Sequence, residues 1–302
     1  MPSIRVVRPA GDGLIIGIGN EALIAGRSHR RLLNKAFSWS ITNMEYQTII
    51  FSVDHRTAWI RFNRPDKLNA MNKEFYADLE QALMECEKND EVRTIILTGN
   101  EKAFIAGADI GIWAGADVDT SGKTAEFIMK VQERLADIVK PTIAAIAGFA
   151  LGGGLEIALC CDFRLAAENA VLGLPEITLG IIPGGGGTQR LPRLIGLGPA
   201  TGMLMLGTRI KANKALSIGL VDDVVSLDQL EAKAEALAQR LAAMPAVALK
   251  ACKTSMRAGL STGLKEGLKL EQTAFTMLFG TLDQKEGMAA FLEKRKPKFL
   301  GK

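Results

Sequence analysis

The stretch "PTIAAIAGFALGGGLEIALCC", residues 141 to 161, constrains the fold more than any other part of the chain. It is apolar enough to raise the question of a membrane span, but glycines and a glutamate interrupt it, and no other apolar run is longer. The alternative is a buried strand, "TIAAIAG", that passes through three glycines into a buried helix. Strands and helices that are apolar on every side belong inside a protein. The helix then carries Glu156 into surroundings where an unpaired charge costs several kcal/mol. Glu176 poses the same problem in "VLGLPEITLGIIPGGGG".

The rest of the chain alternates. "TIIFSVD" and "TAWIRFN" read as paired strands with a turn at His55–Arg56. A helix is predicted at about 72–88, with Phe75, Leu79, Leu83 and Cys86 on one stripe. "RTIILTG" is a strand, followed by a helix at about 123–139. "FRLAA" and "AVLG" are short strands. After Gly184 the character turns helical, and Leu227, Leu230, Leu237 and Leu241 share a predicted helix face. Helices continue to about 293. This alternation predicts an α/β fold with a mainly parallel sheet covered on both faces. The chain of 302 residues divides into three segments. Residues 1–43 are an extension outside the fold, 44–240 form the core, and 241–302 form a helical assembly region.

The head, 1–43, also holds the whole charge imbalance. Six basic residues (Arg5, Arg8, Arg27, Arg30, Arg31, Lys35) face two acids (Asp12, Glu21), which accounts for the net +4. The remainder is balanced, so a pI near 8.8 is no argument for nucleic-acid binding. Three readings of the head stand: a transit peptide, a disordered extension, or upstream sequence before a start at Met44. The last is favoured, because "GLIIGIGNEALIAG" is not amphipathic. The four cysteines, at 86, 160, 161 and 252, fit no zinc or CxxC spacing. A reducing, cytoplasmic compartment suits them, or the mitochondrial matrix if the head is a transit peptide.

Two glycine motifs are set aside. "GIGNEA" (17–22) matches a dinucleotide fingerprint, but no βαβ unit follows it and "RSHRR" fills the place of the ribose-binding acid. "GGGGTQR" (184–190) lacks the lysine of a phosphate-binding loop. It reads as a tight turn before a helix that exposes backbone N–H groups. The only histidines are His29 and His55, which disfavours Ser–His–Asp, Cys–His and histidine-metal chemistry. Acid–base work then falls to carboxylates, with Lys or Tyr as outsiders.

Glu156 lies one turn into a helix whose first N–H groups are unpaired at a strand end. A second glycine-flanked turn, "KAFIAGADIG" (102–111), follows another strand in the same way. Two N–H groups from two such turns can hold one developing oxyanion. Glu176 can return to the same end of the sheet. The residues alone leave two readings open: a catalytic carboxylate pair, or two buried structural glutamates.

At these residues the chain resembles the crotonase, or enoyl-CoA hydratase/isomerase, family. The likeness runs from about Glu45 to Lys302 through "NRPDKLNAMN", "KAFIAGADI", "GFALGGGLEIALCCD", "PEITLGIIPGGGGTQRLPR", "ALSIGLVDDVV" and "FLEKRKPKFLGK". The resemblance implies a spiral of ββα turns with a C-terminal helical trimerisation region, assembled as a homotrimer or a dimer of trimers. It implies an oxyanion hole at Ala108 and Gly153, a catalytic pair at Glu156 and Glu176, and water binding at Gly184. Lys67, Leu68, Ala106, Asp109, Ile110 and Gly111 would lie along the CoA portion of an acyl-CoA substrate. No metal, no separate cofactor, no nucleic acid and no membrane enter the expectation. Gly185 stands where the family often has alanine, and Gly111 where many members carry a basic residue. The implied activity is reversible syn hydration of a 2-trans-enoyl-CoA to a 3-hydroxyacyl-CoA, as in fatty-acid β-oxidation. The rivals are a Δ3-Δ2-enoyl-CoA isomerase working mainly through Glu176, another acyl-CoA lyase of the family, and a non-catalytic acyl-CoA or RNA-binding scaffold.

Overall fold

A computed structural model describes residues 46–302 and, before them, the backbone of three short strands. The chain forms two compact units, Met1–Thr42 and Asn43–Lys302. In the first, β1 (Ile4–Val7), β2 (Ile15–Ile18) and β3 (Glu21–Ile24) form an antiparallel sheet. Gly17 pairs with Ala22 and Ile18 with Glu21, so the two ends of the fingerprint-like stretch lie on paired antiparallel strands, not on a strand and a helix. The three readings of the head otherwise lie outside the described residues.

The second unit begins with the expected hairpin, β4 (Ile49–Asp54) and β5 (Thr57–Phe62). Its turn residues His55 and Arg56 have φ of 45° and 66°, the primed turn whose twist matches that of the flanking strands. Helix α1 (Lys73–Lys88) starts where Asn72 Oδ1 accepts the Phe75 N–H at 3.0 Å, a cap worth about 1 kcal/mol. The predicted stripe of Phe75, Leu79, Leu83 and Cys86 is fully buried.

The chain then follows one path three times. Strand β6 (Thr94–Thr98) leads to β7 (Ala103–Ile105) and helix α2 (Val118–Asp137). Strand β8 (Thr142–Ile146) leads to β9 (Phe149–Leu151) and helix α3 (Gly153–Cys160). Strand β10 (Phe163–Ala167) leads to β11 (Val171–Gly173) and a 3-10 turn, Pro175–Leu179. Two later strands, β12 (Arg209–Lys211) and β13 (Asp223–Val225), complete the sheets. The first strand of each pair joins a six-stranded sheet, β13-β10-β8-β6-β5-β4, parallel except at the β4–β5 hairpin. The second joins a four-stranded sheet, β12-β11-β9-β7. The result is a spiral of ββα turns.

Side-chain alternation divides the core between the two faces of the larger sheet. Ile60, Ile95, Leu97, Ala144 and Ile146 face the cluster under α1, α2 and α3. Trp59, Ile96, Ile143 and Leu165 face helix α7 (Leu230–Ala242). The remaining helices are α4 (Gly187–Ile195), α5 (Leu197–Met205), α6 (Ala212–Ser217), α8 (Ala246–Ser261), α9 (Leu264–Leu278) and α10 (Leu282–Leu292). Helix α8 is tied to the core by buried Lys253, whose Nζ lies 2.7 Å from Asp162 Oδ2.

Three expectations are corrected. The turns at 106–111 and 152–154 do not follow β6 and β8 directly, because three-residue strands β7 and β9 intervene, too short to show a period. Helix α2 begins at Val118, not near 123. Asp117 caps it by accepting the Thr120 N–H at 2.8 Å, and polar "VDTSGKT" hid that first turn. In α7 the buried seam is Leu230, Ala234, Ala238 and Ala242. Leu237 and Leu241 only flank it, while Leu227 lies exposed in the preceding 3-10 turn.

Candidate active site

Strands β7, β9 and β11 are neighbours and run parallel. Their carboxyl ends therefore open side by side, the position where parallel sheets bind ligands. Ala108 follows β7, Gly153 follows β9 and Glu176 follows β11. The topology thus gathers three expected site segments at one edge, and Glu156 lies one turn into α3.

Met71 joins the first two segments. Its N–H donates to Gly107 O at 2.9 Å, and its carbonyl accepts the Asp109 N–H at 2.8 Å. This parallel bridge brackets Ala108, whose own N–H meets no acceptor among the described residues. The Met71 side chain reaches across to Gly153, where an added Cβ would overlap its Cε. Gly153 is the first residue of α3, so its N–H has no intrahelical acceptor. One helix position further, a Cβ on Gly154 would come within 2.7 Å of Ile105 Cβ. Glycine is what lets these two turns close on each other.

Glu156 is 4% exposed. Its Oε1 accepts the N–H groups of Gly185 at 2.8 Å and Gly187 at 2.7 Å. Burial raises its proton affinity, while the Gly187 and Gly185 N–H groups and the nearby Arg190 charge pull the other way. The glycine run is shaped to make this clamp. Arg190 donates to Gly185 O at 2.7 Å. A Cβ on Gly187 would sit 3.0 Å from Glu156 Oε1, and Gly186 has φ of 100°. Gly184 is exposed, with open space at its α-carbon, and its N–H meets no acceptor among the described residues.

Glu176, in the 3-10 turn, is only partly buried, and its Oε2 is an enclosed oxygen without a hydrogen-bond partner. Burial, with a further push from the Glu156 charge, raises its pKa to about 7. Its Oε1 would lie 2.8 Å from a Cβ on Gly152. Gly152 has φ of 55° and donates to Gly173 O at 2.9 Å. The carboxylate therefore rests directly on the turn that opens α3.

The residues expected along CoA form a neighbouring rim. Lys67 and Leu68 are exposed on the loop between β5 and α1, and Leu68 O accepts the Ala106 N–H at 3.0 Å. Ile110 and Gly111 are exposed in the next loop. Asp109 is engaged by the protein: its carboxylate pairs with Arg64 at 3.3 Å and accepts the Gly111 N–H. Buried Asn69 fastens the rim by donating to Ala103 O at 2.9 Å. Sequence reading did not single out Met71, Asn69, Arg64 or Gln132. Their signal was the dense "NRPDKLNAMN" loop and one polar residue on the apolar face of α2.

Residues 54–302 match the family model described as enoyl-CoA hydratase/isomerase. A crotonyl-CoA hydratase of Syntrophomonas wolfei is 41% identical over 260 residues, covering 86% of this chain and all of that protein. A short-chain-enoyl-CoA hydratase of Clostridium acetobutylicum is 42% identical over 254 residues, covering 84% of this chain and 97% of that protein. The crystal structure of an enoyl-CoA hydratase from Bacillus anthracis superposes with a TM-score of 0.82 at 40% identity, covering 85% of this chain and 100% of that one. The chain belongs to the enoyl-CoA hydratase/isomerase family.

Proposed function

We propose that the protein is an enoyl-CoA hydratase that adds water across the double bond of a 2-trans-enoyl-CoA to give a 3-hydroxyacyl-CoA. The observation that carries this reading is the pair of glutamates held in unlike surroundings at one strand edge. The hydratase names of the similar proteins favour it over double-bond isomerisation. In this mechanism the N–H groups of Ala108 and Gly153 bind the thioester oxygen and stabilise its enolate character. Each such donor contributes roughly 3 kcal/mol to lowering the barrier. Glu156, ionised, takes a proton from water as the oxygen bonds to C3. Glu176, protonated, gives its proton to C2. The atoms balance without a redox group or a metal, and exchange with solvent resets the two protons. Gly184 N–H helps hold the water, and the rim from Lys67 to Gly111 lies along CoA.

The same reading makes α8–α10 an assembly region. Leu260, Leu264, Phe275, Met277, Phe291 and Leu292 are all at least 62% exposed, more apolar surface than an isolated subunit leaves to water. A closed homotrimer, or a dimer of trimers, covers it. Light scattering at micromolar concentration checks this, and a monomer contradicts it. The activity is tested with C4 to C16 enoyl-CoAs by loss of the enoyl-thioester absorbance. No hydration of any member overturns the assignment.

A further inference from the structure

Gln132 is the one fully buried polar side chain near the glutamate pair that the mechanism leaves unused. It lies on α2 and is 0% exposed. Neither its Oε1 nor its Nε2 has a partner at full hydrogen-bond geometry, and the Tyr76 hydroxyl is the group close enough to feel the amide. Native interiors rarely leave both ends of a buried amide unsatisfied. Each such group left unsatisfied costs stability, so packing alone does not account for a glutamine here.

Its position is specific. A Cβ on Gly185 would overlap the Gln132 amide and come 2.7 Å from its Cδ. The amide therefore fills the space that any side chain at 185 would need. Gly185 is also one of the two residues whose N–H groups clamp Glu156. The same Tyr76 hydroxyl, in reach of the amide, gives its proton to Met71 Sδ at 3.3 Å, and Met71 packs on Gly153. The amide thus sits between the clamp of the base and the turn that offers the Gly153 N–H.

We propose that Gln132 is a positioning residue for Glu156: its amide, lodged against Gly185, fixes the glycine loop in the one arrangement that aims two N–H groups at the carboxylate. The inference rests on Glu156 being the general base. It also gives glycine at 185 a physical reason, since alanine there would displace either the amide or the loop. If the loop loosens, Glu156 loses the two N–H groups that favour its ionised form. Arg190 on α4 then remains as its favourable charge, with Glu176, Tyr76 and Cys160 as its other titratable neighbours. Its proton affinity rises, and the pH below which the base is lost moves up.

The test uses the full chain with Gln132→Leu, Gly185→Ala and the double change Gln132→Ala/Gly185→Ala. Leucine keeps most of the volume and removes two unpartnered polar atoms, so Gln132→Leu should melt at or above the wild-type temperature. It should nonetheless lose about tenfold in kcat, a small misplacement by the usual scale. KM should stay within about twofold, because an interaction made in the transition state is the one affected. The acid limb of its kcat profile should move to higher pH. Gly185→Ala should melt lower than wild type, and removing the amide in the double change should recover most of that loss. A Gln132→Leu protein that melts lower but keeps wild-type kcat and acid limb overturns the inference. So does a Gly185→Ala loss that the double change leaves untouched. A wild type that hydrates no enoyl-CoA removes the proposed function and this inference together. An active wild type with an unmoved limb in Gln132→Leu removes the inference alone.

Discussion

Glu156 and Glu176 are the same side chain in opposite kinds of surroundings. Glu156 is buried, and one of its oxygens accepts two backbone N–H groups beside an arginine. Glu176 is half-buried on a short turn, with one enclosed oxygen that accepts nothing. Burial pushes both toward the neutral form; two loop N–H groups and an arginine resist the push at Glu156, and only its own backbone N–H does so at Glu176. In the proposed mechanism this difference matches the two roles: the carboxylate that accepts two loop N–H groups is the one fitted to carry charge as base, and the other to hold a proton to give. A pair of merely structural glutamates has no need of this asymmetry.

The hardest way to break the comparison is to remove each charge in turn. Glu156→Gln and Glu176→Gln keep the shape and remove the proton chemistry. Each should cut kcat by about 10²-fold or more. The double change should cost less than the product of the two, since both serve one transition state. Binding of a CoA thioester should survive, because the oxyanion donors belong to the backbone. Steady-state kinetics and calorimetric binding on one preparation check this. If Glu156→Gln left an active double-bond isomerase, the base assignment would fall.

The next sharpening is by pH. Glu176 must be protonated to donate to C2, so hydration should fall as pH rises through about 7, approaching tenfold per pH unit beyond it. Dehydration of the 3-hydroxyacyl thioester uses the other form of the same singly protonated pair, Glu156 protonated and Glu176 ionised, so kcat/KM in the two directions should follow one pH profile. The two limbs of the bell belong to the coupled pair, not to one residue. The absence of an alkaline limb near pH 7 in both directions would contradict the assignment.

A smaller effect should come from the support under Glu176. Gly152→Ala puts a methyl 2.8 Å from its Oε1, at a residue whose φ of 55° suits glycine. Strain of this kind costs about 1–3 kcal/mol. The melting temperature should fall, and kcat should drop about tenfold through displacement of the acid. Unchanged kcat in the folded variant would show that the turn does not position Glu176.

Much of this contrast was legible in the chain. Glu156 stood out as a lone carboxylate in an apolar helix behind three glycines, and Glu176 as its echo before a run of four glycines. The hairpin at His55–Arg56 and the α1 stripe were legible because alternation and helical spacing repeat often enough to be read. Strands β7 and β9 were not, since three residues carry no period, yet the β7–β9 and β9–β11 pairings are what bring Ala108, Gly153 and Glu176 together. The clamp was half visible: the glycines announced free N–H groups, but not which carboxylate they would meet. Gln132 gave only a weak sign, one polar residue on the apolar face of α2, because a glutamine on a helix reads as solvated until the fold buries it.

The smallest expected effect is on stability. A carboxyl whose folded pKa of about 7 exceeds its ordinary 4.5 binds protons more tightly when folded. The folded state then holds more protons than the unfolded state between those values, so stability falls as pH rises through them. Glu176 should therefore contribute a decline in melting temperature from about pH 5 to about pH 7 that Glu176→Gln flattens. Because its Oε2 has no partner to lose, the variant should also melt no lower than wild type near pH 7. Glu156→Gln should behave differently. Burial raises the proton affinity of Glu156 as well, so its removal also relieves a cost as pH rises. Glutamine is, however, a weaker acceptor for the Gly185 and Gly187 N–H groups, so Glu156→Gln should melt lower than Glu176→Gln near pH 7. Calorimetric melts of wild type and both variants at half-unit steps from pH 5 to 8 make the comparison. If the two variants shifted the melting curve alike, the unequal surroundings of the two glutamates would not govern their protons.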